Sequence, residues 1–380
     1  MVKRLNIMFP SVIYPDESGE PLRTFNLAKL AQSYFDEVNI FAKVENNFYK
    51  GNVSGINIYQ EKKYEDIFDK YGYYFKRLLY KKCSFIVSEK AFKNDSLIQL
   101  ESPYFYHAIK SKGIDDYVLD QHNVYWEFKK FPKYSFLYKF IDKVTYKRDK
   151  KIEKDAINNA THIIACSERD KEIMIEEVPT CKNKISIIPN CIDYEKYDLF
   201  LKNNTQITNK NKKTVLFVGL LSHPPNRDAV DLIFKKIAPK LDDDFIIKII
   251  GKYPPNVIPP KNVKFLGYID NLNQQLLDAD ICISPLRFGS GTRLKILSYL
   301  AMRKPVISTS KGAEGLDYEN GKNIIIEDDI DNYHNRIINL IEDEKMMKQL
   351  GNQGEMLVKE KYDWKIYTEK LKKIYETVLK

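Results

Sequence analysis

The feature of this 380-residue chain that most limits its fold is an alternation of short apolar runs with helical patterns. It begins with an apolar run at Leu5 to Phe9, a helical spacing of apolar residues at Leu22 to Ala31, and a second run at Val38 to Phe41. This β–α–β order is typical of a doubly wound parallel sheet. The same reasoning predicts later strands at 117–119, 162–166 and 185–188 and a helix at 147–160.

The alternation starts again after a polar segment, Lys202 to Lys213, whose only apolar residue is Ile207. Such a segment favours a linker between two domains. We therefore predict an α/β chain with domains at 1–200 and 214–360, a linker at 201–213, and an amphipathic C-terminal helix within 361–380. In the second domain we predict strands at 215–218, 245–250, 263–266, 281–284, 306–308 and 324–326, and helices at 228–237, 271–277, 293–302 and 333–341.

One of the predicted strand–loop–helix segments has the pattern of an anion-binding site. The predicted strand at 281–284 leads through a loop with two glycines into the helix at 293–302. Unpaired N–H groups and the helix dipole make a helix start positive, and small residues let a ligand approach the backbone. Arg293 and Lys295 add mobile charge, so we predict a diphosphate bound by the stretch from Ser290 to Lys295. An ordinary βα turn is the alternative that spacing alone leaves open.

Charge and cysteine content narrow the class of protein. The net charge of +9 and the pI near 8.9 favour anionic ligands such as nucleotides and phosphates. Nucleic acid is not expected, because no zinc finger, RNA-recognition signature or long basic tail is present. The five cysteines are scattered singly without a CxxC, which argues against disulfides and zinc and favours a cytoplasmic protein. Residues 1–9 lack the pattern of a signal peptide, and no apolar run approaches the roughly 20 residues of a membrane span.

Two segments, 62–82 and 128–148, interleave lysine and arginine with tyrosine and phenylalanine. This pattern suits an anionic membrane interface and would place the protein peripherally on the inner face of the cell membrane. Two solvated helix faces with inward aromatics are the simpler alternative, and stacking on nucleic acid is a minor third interpretation.

Several segments, in order along the chain, resemble retaining group 1 (family 4) glycosyltransferases of the GT-B fold. In the second half these are LFVGLLSHPPNRDAV at 216–230, VKFLGYIDNLNQQLLDADICISPLRFGSGTRLKIL at 263–297 and PVISTSKGAEGL at 305–316. In the first half they are PDESGEPLRTFNLAKLA at 15–31 and LDQHNVYWE at 119–127. The resemblance implies two doubly wound Rossmann-like domains facing a cleft, with residues 361–380 crossing back to the N-terminal domain.

The resemblance also implies an activity, the transfer of a hexosyl group from a UDP- or GDP-sugar to a glycan or lipid-linked acceptor with retention. It implies catalytic roles for His122, Lys295 and Arg23. The donor-binding residues that it implies are Gly19, Gly219, Asn226, Ser290, Gly291, Thr292, Arg293, Leu294, Ser298 and Glu314. We expect no cofactor and no metal, since the aspartate strings at 278–280 and 242–244 fall on a helix–strand junction and on a surface turn.

The chain departs from the family pattern at two positions where relatives commonly carry glutamates. Register places these at Ser290 and Ser298, and the second glutamate hydrogen-bonds the nucleotide ribose in the family. A serine on its shorter arm reaches fewer hydroxyl groups than a carboxylate does. A weakened or non-catalytic binding protein on the same fold is therefore an alternative, and a nucleotide-sugar epimerase is another.

Overall fold

The computed structural model describes residues 3–14, 19–44, 47–62, 88–92, 95–128, 136–205, 211–289 and 294–379, with side chains omitted at 136–144. The chain forms two compact units. The first combines Met1–Pro189 with Tyr367–Lys380, and the second is Asn190–Ile366. Each unit is built around one sheet, which confirms the predicted α/β class.

The first unit contains an eight-stranded sheet in the order β3-β4-β2-β1-β5-β6-β7-β8. All neighbouring strands run parallel except the β3–β4 hairpin, which is antiparallel. The strands are β1 Arg4–Phe9, β2 Glu37–Val44, β3 Tyr49–Val53, β4 Ile56–Lys62, β5 Ser96–Leu100, β6 Tyr117–Gln121, β7 His162–Ala165 and β8 Ile185–Ile187. The described α-helices are α1 Gly19–Ala31, α2 Tyr106–Lys110, α3 Tyr125–Phe128, α4 Phe136–Asn159, α5 Glu168–Glu177 and, near the C-terminus, Thr368–Val378.

The second unit contains a six-stranded parallel sheet in the order β11-β10-β9-β12-β13-β14. Its strands are β9 Lys213–Val218, β10 Phe245–Ile250, β11 Val263–Gly267, β12 Ile281–Ser284, β13 Val306–Ser308 and β14 Ile325–Ile326. Its described α-helices are α6 Tyr194–Asn203, α7 Pro224–Leu232, α8 Leu272–Asp278, α9 Leu294–Ala301, α10 Tyr333–Glu342 and α11 Glu344–Lys361. We number the helix Thr368–Val378 of the first unit α12.

Strand β9 shows why these apolar runs become central strands. Val215 and Phe217 belong to one buried cluster, whereas Leu216 between them belongs to another. Successive side chains of a strand point to opposite faces of the sheet, so a strand covered by helices on both faces must be apolar throughout. A continuous apolar run is therefore what a central strand of this fold requires.

The structure differs from the sequence prediction at the domain limits and in some elements. The second unit begins at Asn190, and α6 occupies 194–203, which includes the first residues of the predicted linker. The β3–β4 hairpin, β5 and α11 were not predicted. Four of the five cysteines are buried and free, and Cys83 lies outside the described residues.

The two basic–aromatic segments are only partly described. Residues 63–82 and 129–135 lie outside the described part of the chain, and 136–148 belong to α4. Their predicted contact with a membrane therefore stays a prediction. No described helix is long and apolar enough to cross a bilayer.

Candidate functional site

In the second unit, the loops that follow three neighbouring strands are joined at the carboxyl edge of the sheet. The amide of Gly219 donates to the carbonyl of Ile250 at 2.9 Å, and Leu221 donates to Lys252 at 3.1 Å. The amide of Gly251 donates to the carbonyl of Gly267 at 2.8 Å. Open α/β sheets bind ligands outside this edge, so the second unit places the Gly219 loop where a ligand is expected.

Two glycines are needed for these loops to pack together. A Cβ on Gly219 would lie 2.7 Å from Cγ of Asn226. A Cβ on Gly251 would collide with the carbonyl oxygen of Gly219. Gly219 was predicted from its motif, but Gly251 was missed. A side chain at position 251 is excluded only by the neighbouring loop, whose approach the sequence does not show.

Lys295, the second residue of α9, is held in place by two groups at this edge. Its Nζ donates to Oδ1 of Asn226 at 2.6 Å and lies 4.4 Å from the ring centroid of Phe217. Asn226 is itself fixed, since its Nδ2 donates to the carbonyl of Leu220 at 2.9 Å. We call Phe217, Gly219, Asn226 and Lys295 the Lys295 cluster. A cation is disfavoured by the helix dipole in a first turn, so this position favours an anionic ligand over helix stabilisation.

The remaining residues predicted for this site are placed as follows. Ser290, Gly291, Thr292 and Arg293 lie outside the described residues, and Leu294 begins α9. Glu314 pairs with Lys311 at 2.6 Å and is largely buried. The roles predicted for these residues stay predictions.

Ser298 has a partner that the sequence did not indicate. Its Oγ lies 2.9 Å from the hydroxyl of Tyr197 on α6 and 3.2 Å from the carbonyl of Leu294. Two hydroxyl groups therefore lie where the family resemblance places a carboxylate. Tyr197 was missed because α6 was not predicted as a helix, so nothing placed its side chain near α9.

In the first unit, Arg23 and His122 lie in one buried cluster with two carboxylates, Glu101 and Asp120. We call these four residues the His122 cluster. Arg23 is 1% exposed and binds Asp120 through two hydrogen bonds, from Nε at 2.8 Å and from Nη2 at 2.7 Å. Its Nη1 donates to the carbonyl of Pro189 at 3.1 Å. In this arrangement the charge of Arg23 is balanced by Asp120, so Arg23 orients the cluster, and its predicted contact with a diphosphate stays a prediction.

His122 lies between the two carboxylates. Its Nε2 is 2.7 Å from Oε2 of Glu101 and 3.2 Å from Oδ2 of Asp120. Glu101 is in turn fixed by Thr24, whose hydroxyl donates at 2.6 Å, and by Gln99, whose amide donates at 2.7 Å. Glu101 follows directly on the buried strand β5, which is a usable sequence signal, but no motif drew attention to it.

The surroundings decide the charge of His122. Burial by itself lowers the pKa of His122, but the charge of Asp120 and hydrogen bonds to Asp120 and Glu101 outweigh it and raise the pKa to about 10. Burial favours a protonated Asp120, yet Arg23 and His122 hold the pKa of Asp120 well below its usual range. Burial and the charge of Asp120 raise the pKa of Glu101. The direction of the shift at His122 favours the charged imidazolium, which carries a proton on each ring nitrogen.

Three members of the His122 cluster also have the side-chain types of a metal site. Glu101, Asp120 and His122 offer three ligand atoms within 4.8 Å of one another. However, Arg23 donates to both oxygens of Asp120, so a cationic side chain already occupies this carboxylate. The buried Nδ1 of His122 has no hydrogen-bond partner among the described residues. With a proton on Nδ1, the ring can donate a hydrogen bond from this nitrogen to an oxygen.

The last predicted residue, Gly19, is the first residue of α1 and is exposed. No described atom lies within 4 Å of a Cβ built on it. Packing therefore does not require glycine at this position, unlike at Gly219.

Comparison with known proteins relates this geometry to a family. Residues 212–343 match the family model for group 1 glycosyl transferases. An uncharacterized 44.6 kDa protein in the cps region of Klebsiella pneumoniae is 26% identical over 320 residues, which cover 76% of this chain and 74% of that protein. Sucrose-phosphate synthase from Thermosynechococcus elongatus has a TM-score of 0.73 at 14% identity, with 99% of each chain covered. HepE of Anabaena, solved in complex with UDP, has a TM-score of 0.64 at 13% identity and covers 98% of this chain and 100% of its own.

The two structural likenesses show the fold, and the family match covers part of the second unit. The matched residues, 212–343, include the whole Lys295 cluster. The match to group 1 glycosyl transferases over residues 212–343 and the GT-B fold of the chain confirm the resemblance found in the sequence.

Proposed function

We propose that this protein is a glycosyltransferase that moves a hexosyl group from a UDP- or GDP-sugar to a glycan or lipid-linked acceptor, with retention and without a metal. The observation that carries the proposal is the placement of Lys295. Its ammonium lies at the start of α9 beside the Gly219 loop, on Asn226 and Phe217. A fixed cation at a helix start suits a diphosphate, and HepE, which shares the fold, was solved with UDP.

In the proposed reaction, the bond between the anomeric carbon and the diphosphate oxygen breaks. A bond from the acceptor hydroxyl oxygen forms on the same face of the sugar, and the acceptor proton leaves with the diphosphate. Lys295 stabilises the negative charge that develops on the departing diphosphate, which is where a preorganised cation lowers the barrier most. No residue of the chain has to act as a base in this scheme.

His122 has a binding role in the proposal. As an imidazolium it donates from Nδ1 to an oxygen of the donor sugar or of the acceptor. Arg23, Asp120 and Glu101 keep its ring oriented and charged. The hydroxyl pair of Tyr197 and Ser298 takes the place of a glutamate on the ribose side, where it can accept from one ribose hydroxyl group.

The test compares the wild type with Lys295→Ala in transfer assays with UDP- and GDP-sugars. Loss of one charge-stabilising donor costs about 2–4 kcal/mol of transition-state stabilisation, so kcat should fall by roughly 30- to 1,000-fold. Lys345→Ala is the matched control, because Lys345 is an exposed lysine on α11 of the same unit. Unchanged turnover in Lys295→Ala would contradict the role of Lys295. Binding of the donor by the wild type without any transfer or hydrolysis would favour the non-catalytic alternative that Ser298 suggests.

A further inference from the structure

A loop of the second unit, which we call the 252–260 loop, exposes an unusual amount of apolar surface. It connects β10 to β11 and has the sequence KYPPNVIPP. Ile258 is 95% exposed, Tyr253 68% and Val257 53%, and Tyr268, just after β11, is 63% exposed. These four residues are among only ten large apolar side chains that are exposed in the described part of the chain. Apolar residues concentrated in this way on a surface indicate an interaction site.

The charge carried by the loop and the residues next to it in the sequence has one sign. Residues 251–268 contain three lysines, Lys252, Lys261 and Lys264, and no acidic residue. All three lysines are exposed. The Nζ of Lys252 lies 4.6 Å from the ring centroid of Tyr268, and Lys261 pairs with Asp243 at 2.6 Å. Apolar tips flanked by lysine and tyrosine are the combination that binds the interface of an anionic bilayer.

The prolines of the loop lower the free-energy cost of moving its backbone out of water. Four of its nine residues are proline, at 254, 255, 259 and 260. Proline has no backbone N–H, so these positions bring no donor that would need a partner away from water. Their fixed φ also limits the entropy that the loop loses on binding. The amide of Val257 is already bonded to the carbonyl of Pro255 at 3.0 Å.

We propose that the 252–260 loop docks the second unit on an anionic lipid bilayer. Val257 and Ile258 enter the acyl boundary, Tyr253 and Tyr268 lie at headgroup level, and Lys252 and Lys264 attract the lipid phosphates. This surface is distinct from the two basic–aromatic segments of the first half of the chain. The proposal is independent of the sugar chemistry proposed above. Charge complementarity favours lipid over a second copy of this chain, because the copy would bring the same three lysines.

The experiment measures co-sedimentation of the full chain with vesicles of phosphatidylcholine alone and of phosphatidylcholine mixed with phosphatidylserine. The wild type should bind the mixed vesicles more tightly, and binding should weaken as salt screens the lysines. Ile258→Asp should bind the mixed vesicles at least about tenfold more weakly, because it removes the aliphatic side chain that enters the bilayer and adds a negative charge. Because Ile258 is almost fully exposed, its thermal unfolding should match that of the wild type.

The matched control is Met356→Asp, which makes the same change of charge at a half-exposed apolar residue of α11. This variant should bind vesicles as the wild type does. Equal binding by Ile258→Asp and the wild type, or no wild-type binding to mixed vesicles, would overturn the proposal. The proposal would also be overturned if Ile258→Asp kept its binding to vesicles but dissociated a dimer seen by sedimentation. The same holds if this variant kept its binding to vesicles but lost affinity for the donor. Donor affinity, measured by calorimetry with UDP- and GDP-sugars, separates a failure of this proposal from a failure of the proposed function.

Discussion

At the scale of single residues, the charge of His122 stabilises the folded chain. The free energy of unfolding should therefore depend on pH with a sign that can be predicted. Its pKa is about 10 in the folded chain against an ordinary 6.5. A raised pKa contributes stability that is fully present below about pH 6.5 and is lost as the pH rises through about 10. The free energy of unfolding of the wild type should therefore fall across this window. The groups that face His122 are Glu101, Asp120 and, through Asp120, Arg23.

The variant His122→Gln tests this charge. It leaves two buried carboxylates with one cation fewer, so at pH 6 it should be destabilised by ~3–5 kcal/mol, as expected for a broken buried ion pair. Its stability should also lose the part of the pH dependence between pH 6.5 and 10 that His122 causes. Urea unfolding of both proteins at several pH values measures the difference. Parallel curves would mean that His122 is neutral in the folded chain.

Asn226 is predicted to act through Lys295. Asn226→Ala removes the oxygen that accepts from Nζ of Lys295, so the ammonium loses its fixed position and kcat should fall, by less than in Lys295→Ala. Because both changes affect one interaction, the double variant should be no slower than Lys295→Ala alone. Steady-state kinetics of the four proteins measure the coupling. Fully additive losses would show that Asn226 works independently of Lys295.

At this scale the sequence selected candidate residues but did not indicate the contacts between them. Gly219, Asn226, Lys295 and Ser298 were all selected from their motifs, but the bond between Asn226 and Lys295 depends on how two distant loops meet. Glu101 was missed because it lies in a stretch without a motif. Sequence patterns record which side chains are present, whereas tertiary packing decides which of them touch.

At the scale of the elements, the close approach of two loops makes a strong prediction for Gly251. In Gly251→Ala the new methyl group would meet the carbonyl oxygen of Gly219, so the β9 and β10 loops must separate and their hydrogen bonds must lengthen. We expect a clear loss of thermal stability, because backbone atoms cannot move aside as a flexible side chain can. Gly19→Ala is the control, since space is open there and alanine suits a helix better than glycine. A melting temperature of Gly251→Ala equal to that of Gly19→Ala would contradict this account.

The elements that the sequence predicted are those whose pattern is set by burial. Central strands such as β9 and β10 are apolar because both faces are covered, and their limits were close to those observed. The hairpin of β3 and β4 was missed, because β3 is half exposed and carries a polar sequence. Helix α6 was missed in the same way, since none of its residues is fully buried. Partly covered elements leave a weaker pattern than fully covered ones.

At the scale of the whole molecule, the C-terminal residues of the chain belong to the first unit. Helix α12 belongs to the first unit although 177 residues of the second unit precede it. Leu371, Ile374 and Tyr375 on this helix are buried, and the hydroxyl of Tyr375 donates to Gln99 at 2.7 Å. The ring of Tyr375 lies 5.0 Å from that of Phe35. The first unit is therefore complete only when residues 367–380 are present.

Deletion of residues 367–380 should consequently destabilise the first unit and leave the second folded. Burial of three large side chains contributes about 1.5–3 kcal/mol each, which is a large part of the stability of a typical domain. A donor nucleotide at about 100 times its Kd should stabilise only the second unit, by about 2.7 kcal/mol, because the Lys295 cluster lies there. Differential scanning calorimetry of the full and shortened chains, with and without UDP or GDP, would resolve these effects as separate transitions. If the deletion lowered both transitions equally, or if the nucleotide stabilised the first unit instead, the assignment of α12 to one unit and of the donor to the other would be wrong.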